Sequence, residues 1–306
     1  MNIVIATDDN YIQHCSVMVT SVLENNKDAH FFVLTEGLTD MNKSILKDIA
    51  ERYNSTIDFC IVDSNIVKHF PMPADGGDHI SIATYYRLLI EYLIPSSIDK
   101  VIYMDCDIVV RGDLSELYNI DLEGKALGAV YQNVIPSTKQ DLDRLMMSEE
   151  LGYFNAGVLL INLKYWREND VTKRLLNFIK CHFTLIKQHD QDTLNSVLQT
   201  ETQSISYRWN YLPLFYSVKN PVFPSHVVYE KDVEPSVIHY VCAPKPWDYG
   251  CNNPYRCEYD KYLQLTPFKG AKKNFNFRRF SKDVIKPWLI RAIIMFDPLN
   301  LRKVLR

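Results

Sequence analysis

The apolar run VIYMDCDIVV, from Val101 to Val110, carries two carboxylates, Asp105 and Asp107, and sets the expectation for the whole fold. It is rich in β-branched residues and too short for a typical helix, which predicts a strand buried on both faces. Because side chains two positions apart in a strand point to the same side, Asp105 and Asp107 should converge, with Cys106 on the other face. Adjacent like charges are costly unless a cation lies between them, and a divalent metal with oxygen ligands supplies one. Two solvated acids at a strand end are the alternative.

The composition of the 306 residues is that of a globular protein, with 47% hydrophobic and 23% charged residues. The net charge of −3 is unevenly distributed, because residues 269–306 contain eleven Lys and Arg against two Asp and carry +9, which leaves −12 on residues 1–268. An acidic body argues against nucleic acid as a partner, whereas a basic, apolar tail is typical of a segment that binds an anionic surface. We therefore expect one domain over residues 1–268 and a membrane-association segment over residues 269–306, called the tail below.

The seven cysteines form no C-x-x-C pair, so neither a disulfide framework nor a zinc site is predicted, and a reducing compartment is expected. The apolar stretch from Ile3 to Ala6 is too short for the core of a signal peptide, and no run reaches the ~18 apolar residues of a spanning helix. We expect a cytoplasmic protein, peripherally associated with the inner face of the cell membrane through its tail.

The first 62 residues alternate between strand and helix patterns. Strands are predicted at Asn2–Ala6, Phe31–Leu34 and Thr56–Val62, and helices from Ile12 to Leu23 and from Asp40 to Tyr53. Such alternation indicates an α/β fold whose sheet is mainly parallel and flanked by helices. In open sheets of this kind the ligand crevice lies beyond the carboxyl ends of the strands, where Asp105 and Asp107 are expected.

Polar residues next to other predicted strands and helices are further candidates for this crevice. Asp8 and Asn10 suit hydrogen bonds to a base or ribose, and equally suit a plain N-cap. Arg87 would clamp a diphosphate or sugar, or else form a surface ion pair. Asp190, at the start of a helix, either caps that helix or faces the crevice. The absence of G-x-G-x-x-G and P-loop motifs disfavours a dinucleotide or P-loop site.

Two candidates lie near the end of the acidic body. His239 ends the strand-like run from Val237 to Tyr240, and a histidine there is either structural or a metal ligand. Lys245 follows in a loop that is stiffened by prolines, where it is placed to neutralise a phosphate.

Six motifs occur in order along residues 1–250: IVIATDDNY at 3–11, HIS at 79–81 with Arg87, DCD at 105–107, FNAGVLLIN at 154–162, DQD at 190–192, and HYVCAPKPW at 239–247. Each motif is weak alone, but together they resemble the glycosyltransferase family 8 enzymes, most closely the bacterial lipooligosaccharide α-galactosyltransferases.

The resemblance implies a single nucleotide-sugar transferase domain of the GT-A type. The implied activity is transfer of a hexose from a UDP-sugar, with retention at the anomeric carbon, to a saccharide acceptor. Galactose is the first choice of hexose and glucose the second. With the basic tail, we expect a lipid-linked glycan of surface polysaccharide, such as capsule, or of lipopolysaccharide or lipooligosaccharide synthesis as the acceptor.

The resemblance also implies roles for particular residues. Asp105, Asp107 and His239 would hold Mn²⁺, with Mg²⁺ as the alternative. The residues implied to bind substrate are Ala6, Asp8, Asn10, His79, Arg87, Asn155, Ala156, Gly157 and Lys245. The residues implied at the reacting centre are Asp190 and Gln191.

Two other functions remain open at this point. The sequence DCDIV at 105–109 also fits the D-x-D-x-[TV] motif of haloacid-dehalogenase-type phosphatases, in which Asp105 would be phosphorylated and Mg²⁺ bound. That motif normally follows the first strand of its domain, whereas several strand and helix units precede Asp105 here. The other alternative is a nucleotide-sugar-binding protein without turnover.

Overall fold

The computed structural model describes residues 1–72, 81–132, 136–212, 223–230, 233–241, 243–275 and 277. Two predictions fall outside these residues: the substrate-binding role of His79, and the tail beyond residue 277. Within the described ranges, we find no helix with the length and apolar character that crossing a membrane requires.

A seven-stranded mixed sheet forms the centre of the fold. Its strands are β1 (Asn2–Ala6), β2 (His30–Thr35), β3 (Thr56–Ile61), β4 (Lys100–Met104), β6 (Leu127–Gln132), β7 (Tyr153–Asn162) and β8 (Thr202–Ser204). Their order is β3-β2-β1-β4-β7-β6-β8, and all pairs are parallel except the two that β7 makes with β4 and β6. A second, antiparallel sheet pairs β5 (Ile108–Val110) with β9 (Val237–His239).

Helices lie on both faces of the main sheet. The α-helices of the described residues are α1 (Ile12–Asn25), α2 (Asp40–Arg52), α3 (Ser64–Val67), α4 (Ile90–Leu93), α5 (Ser115–Tyr118), α6 (Pro136–Arg144), α7 (Leu163–Glu168), α8 (Val171–His182), α9 (His189–Leu198) and α10 (Arg256–Leu263). The 3₁₀ helices are Asp9–Tyr11, Ile82–Leu89, Phe183–Leu185 and Tyr207–Trp209. The expectation of a mainly parallel sheet flanked by helices is confirmed.

Strand alternation divides the core into two layers. Ile3 and Ile5 of β1 pack in the layer that contains α1 and α2, whereas Val4 packs in the layer that contains α8 and α9. In β4, Ile102 and Tyr103 divide in the same way. Because both faces of these central strands are covered, their sequences are continuous apolar runs.

The run from Val101 to Val110 differs from the single strand that was predicted. Strand β4 of the main sheet ends at Met104. Asp105-Cys106-Asp107 then form a turn, after which β5 begins in the second sheet. The two carboxylates still converge, because the turn directs them to one side, while Cys106 Sγ donates to the carbonyl oxygen of Ala6, 3.3 Å away. The convergence therefore comes from a change of sheet and not from strand alternation.

Two further elements position residues of the site. The small residues before Val158 belong to one ten-residue strand, β7. Residues Ile82–Leu89 are wound as a 3₁₀ helix, which is followed by the short α4. With three residues per turn, Thr84 and Arg87 lie on one side of that helix.

Candidate functional site

Asp105, Asp107 and His239, called the metal cluster below, bring three ligand atoms within 4.8 Å of one another. His239 Nε2 lies 3.1 Å from Asp107 Oδ1 and 3.9 Å from Asp105 Oδ2. The histidine side chain is only 3% exposed, whereas the Asp105 and Asp107 side chains are 26% and 15% exposed, so the cluster is reached from the carboxylate side. One imidazole nitrogen and two carboxylates form a donor set that fits a divalent metal ion such as Mn²⁺.

Strand pairing brings these residues together. Asp105 follows β4, and its backbone N–H donates to the Gly157 carbonyl oxygen of the antiparallel β7 at 2.9 Å. His239 ends β9 opposite Ile108 of β5, directly after Asp107. The Tyr240 N–H then donates to the Asp107 carbonyl oxygen at 2.9 Å. The metal cluster therefore lies at the junction of the two sheets.

The orientation of the His239 ring is fixed on two sides. Its Nδ1 lies 2.9 Å from Oδ1 of Asn210, which is fully buried, so Nε2 faces the carboxylates. The ring also packs against Gly157, where an added Cβ would lie 2.1 Å from His239 Cε1 and 2.6 Å from Nδ1. No side chain fits at residue 157 while the ring keeps this position.

Lys245 contributes a cation to the metal cluster. Its Nζ lies 2.6 Å from Asp107 Oδ2 and 2.5 Å from the Tyr240 carbonyl oxygen. Burial alone would raise the pKa of Asp107, but Lys245 and His239 outweigh it and hold this pKa well below its usual range. Asp107 is therefore ionised and is available as a charged ligand.

Arg87 joins the metal cluster to Asp190. Its Nη2 lies 2.7 Å from Asp105 Oδ1 and its Nε lies 2.9 Å from Asp190 Oδ2. The guanidinium also donates from Nη1 to the Ala156 carbonyl oxygen at 2.5 Å and stacks over the Tyr103 ring, 4.4 Å from its centroid. Burial disfavours the charged guanidinium, but Asp105 and Asp190 outweigh this effect and raise the Arg87 pKa. The surface ion pair considered for Arg87 is therefore excluded, since the residue is 4% exposed.

Asp190 faces Arg87 and does not cap its own helix, α9. Its Oδ1 accepts a short hydrogen bond from the Thr84 hydroxyl group. Burial raises the pKa of Asp190, while Arg87 and Thr84 oppose that rise.

Gln191 holds the first residues of β7. Its Oε1 accepts from Asn155 Nδ2 at 3.1 Å and from the Ala156 N–H at 3.0 Å. Asn155 Oδ1 in turn accepts from the Gly157 N–H at 2.9 Å. The predicted residues of β7 and α9 are thus in direct contact with one another.

The predicted residues near the end of β1 lie slightly apart from these contacts. Asp8 Oδ1 accepts from the backbone N–H groups of Asn10 and Tyr11 at 2.9 and 3.1 Å, which is the N-cap arrangement, and Asn10 is exposed. Ala6 meets the D-x-D turn through the hydrogen bond from Cys106.

Sequence reasoning missed three residues at the site. Asn210, Thr84 and Tyr103 each contact a predicted residue, and the Tyr103 hydroxyl donates to Asp105 Oδ1 at 3.0 Å. Tyr103 had a weak signal, because it lies two positions before Asp105. Asn210 lies far from His239 in the sequence, and Thr84 lies far from Asp190.

The D-x-D turn, the histidine and the lysine lie together in a fold of the GT-A type. The chain belongs to glycosyl transferase family 8, whose family model matches residues 2–251. The family resemblance and the fold class expected from the sequence are confirmed.

Known proteins similar to this chain span almost its whole length. General stress protein A of Bacillus subtilis is 31% identical over 275 residues, which cover 87% of this chain and 94% of that protein. The lipopolysaccharide 1,2-glucosyltransferase of Escherichia coli K12 is 28% identical over 296 residues, covering 93% of this chain and 85% of that enzyme. The crystal structure of the galactosyltransferase LgtC with donor and acceptor sugar analogues matches with a TM-score of 0.77 and 29% identity, covering 87% of this chain and 96% of that chain.

Proposed function

We propose that this protein is a retaining, metal-dependent glycosyltransferase that moves a hexose from a UDP-sugar to a saccharide acceptor. The observation that carries the proposal is the convergence of Asp105, Asp107 and His239, with Lys245 beside them, in a family 8 chain. Galactose is the first choice of hexose and glucose the second, since a galactosyltransferase and a glucosyltransferase are among the similar proteins.

The metal cluster would hold Mn²⁺, or alternatively Mg²⁺, against the diphosphate of the donor. Manganese is favoured because an imidazole nitrogen suits it better than it suits magnesium. When bound, such an ion neutralises charge that grows on the leaving diphosphate. Lys245 would contribute to the same stabilisation by moving its ammonium group from Asp107 to a phosphate oxygen.

The remaining predicted residues would surround the donor. Asp8 and Asn10, with Ala6, would recognise the uridine at the end of β1. Arg87 would hold Asp105 and Asp190 in position beside the sugar. The other residues assigned to sugar binding are His79, Asn155, Ala156 and Gly157. The support for this arrangement is the set of hydrogen bonds that links β7 and α9 to the metal cluster.

We favour a front-face mechanism over a double displacement. The acceptor hydroxyl would form its bond to the anomeric carbon on the face from which UDP departs, and its proton would pass to the leaving phosphate oxygen. Asp190 supports this choice because its carboxylate is buried and lies against Arg87 and Thr84, which leaves it poorly placed as a nucleophile. Asp190 would instead stabilise the positive charge that develops on the sugar ring, with Gln191 beside it.

This mechanism predicts that no glycosyl-enzyme intermediate accumulates on Asp190. Intact-protein mass spectrometry after rapid quenching of enzyme, donor and Mn²⁺ should show unmodified protein, with Asp190→Ala as the matched comparison. A hexose adduct that maps to a peptide with Asp190, and is absent from the variant, would establish a double displacement instead.

The acceptor would be a lipid-linked saccharide at an anionic membrane surface. The support is the charge and aromatic content of the tail, together with the exposure of Phe275 and Phe277, which are 57% and 67% exposed. The protein would then work in the cytoplasm at the inner face of the cell membrane, with residues 1–268 as the transferase domain.

A donor panel tests the proposal. The full-length protein is incubated with Mn²⁺ and each of several UDP-sugars, and products are identified by mass spectrometry. We expect release of UDP from UDP-galactose or UDP-glucose, and loss of this activity in EDTA. Phosphate release from simple esters would indicate a phosphatase that uses Asp105, and donor binding without any UDP release would indicate a binding protein.

A further inference from the structure

A row of buried amide side chains runs from the metal cluster to Gln191. Asn210 Oδ1 lies 2.9 Å from His239 Nδ1, and Asn210 Nδ2 donates to Asn155 Oδ1 at 2.8 Å. Asn155 Nδ2 then donates to Gln191 Oε1 at 3.1 Å. Asn210 is fully buried and Asn155 is 6% exposed, so water does not compete for these hydrogen bonds.

Two backbone groups fix the direction of every amide in this row. A backbone N–H can only donate, and the N–H groups of Gly157 and Ala156 point at Asn155 Oδ1 and Gln191 Oε1. Asn155 therefore presents its oxygen to Asn210, and Asn210 can bond this oxygen only by donating from its Nδ2 group. Asn210 is then left with only its oxygen for the histidine.

The consequence for His239 is chemical. An oxygen at Nδ1 requires a proton on that nitrogen, so in the neutral ring Nε2 carries the lone pair. Nε2 is the atom that faces Asp107 and Asp105. The backbone of β7 thus determines, through two amides, which nitrogen of His239 can ligate a metal.

We propose that Asn210 is a positioning residue of the metal site, which holds His239 in the Nδ1–H tautomer and connects it through Asn155 to Gln191. The proposal rests on the proposed function in one respect only, which is that Nε2 of His239 binds a metal ion. Asn210 ends the 3₁₀ helix Tyr207–Trp209, and nothing in the local sequence indicates a role for it at the metal site.

The first test reads the tautomer directly in protein freed of metal with EDTA. Protein labelled with ¹⁵N-histidine gives long-range ¹H–¹⁵N correlations whose pattern distinguishes Nδ1–H, Nε2–H and doubly protonated rings, and the His239→Gln variant identifies the His239 signals. We expect a proton on Nδ1 in the wild type and in Asn210→Asp, which keeps an oxygen acceptor, whether or not Nε2 also donates to Asp107 in the absence of metal. In Asn210→Leu, which removes the acceptor of Nδ1, we expect a ring that is protonated at Nε2 alone.

The second test measures binding of Mn²⁺ alone, from the electron paramagnetic resonance signal of the free ion. Loss of an outer partner of a ligating histidine typically lowers metal affinity about 10- to 100-fold, and we expect that loss in Asn210→Leu but not in Asn210→Asp. Asn26→Leu is the matched control, because Asn26 is a buried amide that bonds Val22, Gly112 and Leu114 away from the site. This control should lose stability while binding Mn²⁺ as the wild type does.

The outcomes separate this inference from the proposed function. An Nε2–H ring in the wild type, or wild-type Mn²⁺ affinity in Asn210→Leu, overturns the role of Asn210. If the wild type itself binds no Mn²⁺, the metal step of the proposed function is wrong, and the tautomer in wild type and Asn210→Leu decides the role of Asn210 alone.

Discussion

Asp107 is bound on both of its oxygens, to Lys245 at 2.6 Å and to His239 at 3.1 Å. Replacing it with Asn removes one charged ligand and leaves the ammonium group of Lys245 without a carboxylate. We expect Asp107→Asn to reduce Mn²⁺-dependent UDP release by more than the ~10- to 100-fold that loss of an outer metal partner causes. The measurement is the initial rate of UDP release at several Mn²⁺ concentrations.

A control for this change is Asp113→Asn. The Asp113 carboxylate accepts from the Ser115 N–H at 2.7 Å in an exposed turn. Its replacement should therefore leave the rate of UDP release unchanged. Circular dichroism should show that both variants keep the wild-type fold. Full activity of the wild type in EDTA would contradict the metal-dependent proposal.

Gly157 allows the His239 ring to lie against the backbone of β7. In Gly157→Ala the new methyl group would overlap the ring, with Cβ 2.1 Å from Cε1, so the ring must move away from Asp105 and Asp107. We expect Mn²⁺ affinity to fall by at least ~10-fold.

Gly112→Ala is the matched substitution for Gly157→Ala. Among the described residues, a Cβ at residue 112 would meet Ser236 alone, at 3.5 Å, which is an ordinary contact. Equal Mn²⁺ affinity in the two variants would show that the packing of His239 against Gly157 has no role in metal binding.

At the level of residues, the convergence of Asp105, Asp107 and His239 could be predicted, but the groups that fix these side chains could not. Asp105 and Asp107 could be identified because they are adjacent acids after an apolar strand. Asn210 and Thr84 could not, because His239 and Asp190, which they contact, lie on other elements and no local pattern requires an amide or hydroxyl there.

At the level of elements, the break between β4 and β5 positions the site. An apolar run of ten residues does not indicate where a strand leaves one sheet for another, because both halves are equally buried. The pairing of β5 with β9, which brings His239 to Asp107, joins segments far apart in the sequence. Sequence periodicity predicts strands but not such long-range partners.

The loop of residues 243–248, which carries Lys245, is anchored by Trp247. The indole ring stacks on His14 of α1, with centroids 3.6 Å apart, and contacts Tyr259 of α10 at 5.1 Å. In Trp247→Leu we expect Lys245 to shift, and because a displacement of about 1 Å can cost ~100-fold in rate, kcat/KM for the donor should fall about tenfold or more. Steady-state kinetics with saturating Mn²⁺ measure this change.

Trp166→Leu controls for lost core packing. Trp166 is fully buried in α7, and its Nε1 donates to the Ala126 carbonyl oxygen at 3.0 Å. The free energy of unfolding of Trp247→Leu and of Trp166→Leu should each fall by less than the roughly 3–5 kcal/mol that Trp-to-Ala changes cost in cores. An unchanged kcat/KM in Trp247→Leu, or an equal fall in both variants, would refute the anchoring role of Trp247.

At the scale of the whole molecule, alternation of strands and helices was sufficient to predict the parallel half of the sheet. The antiparallel direction of β7 was not predicted, because a strand that is buried at every position except the last shows no alternation that would indicate its partners. The tail was predicted from its basic charge and its apolar residues, and its described beginning lies against the body. Asn274 accepts from the Tyr249 N–H and donates to the Trp247 carbonyl oxygen, both at 2.7 Å.

These contacts decide how the membrane proposal should be tested. A deletion that starts at residue 269 would remove Asn274 and disturb the loop of Lys245, so loss of activity would be ambiguous. Deletion of residues 278–306 keeps Asn274 and still removes eight of the eleven Lys and Arg of the tail. Each basic residue near an anionic surface contributes about 1 kcal/mol, so the truncated chain should lose most of its attraction.

We expect the full-length protein to sediment with vesicles that contain phosphatidylglycerol at low salt, and to be released as salt is raised. The chain truncated at residue 277 should stay in the supernatant while its Mn²⁺-dependent hydrolysis of the donor stays at the wild-type rate. Vesicles of phosphatidylcholine alone control for binding by the aromatic side chains, since they lack surface charge. Sedimentation of the truncated chain to the same extent as the full-length chain, or failure of the full-length chain to bind, would contradict membrane association through the tail, because electrostatic attraction requires both the basic residues and the anionic lipid.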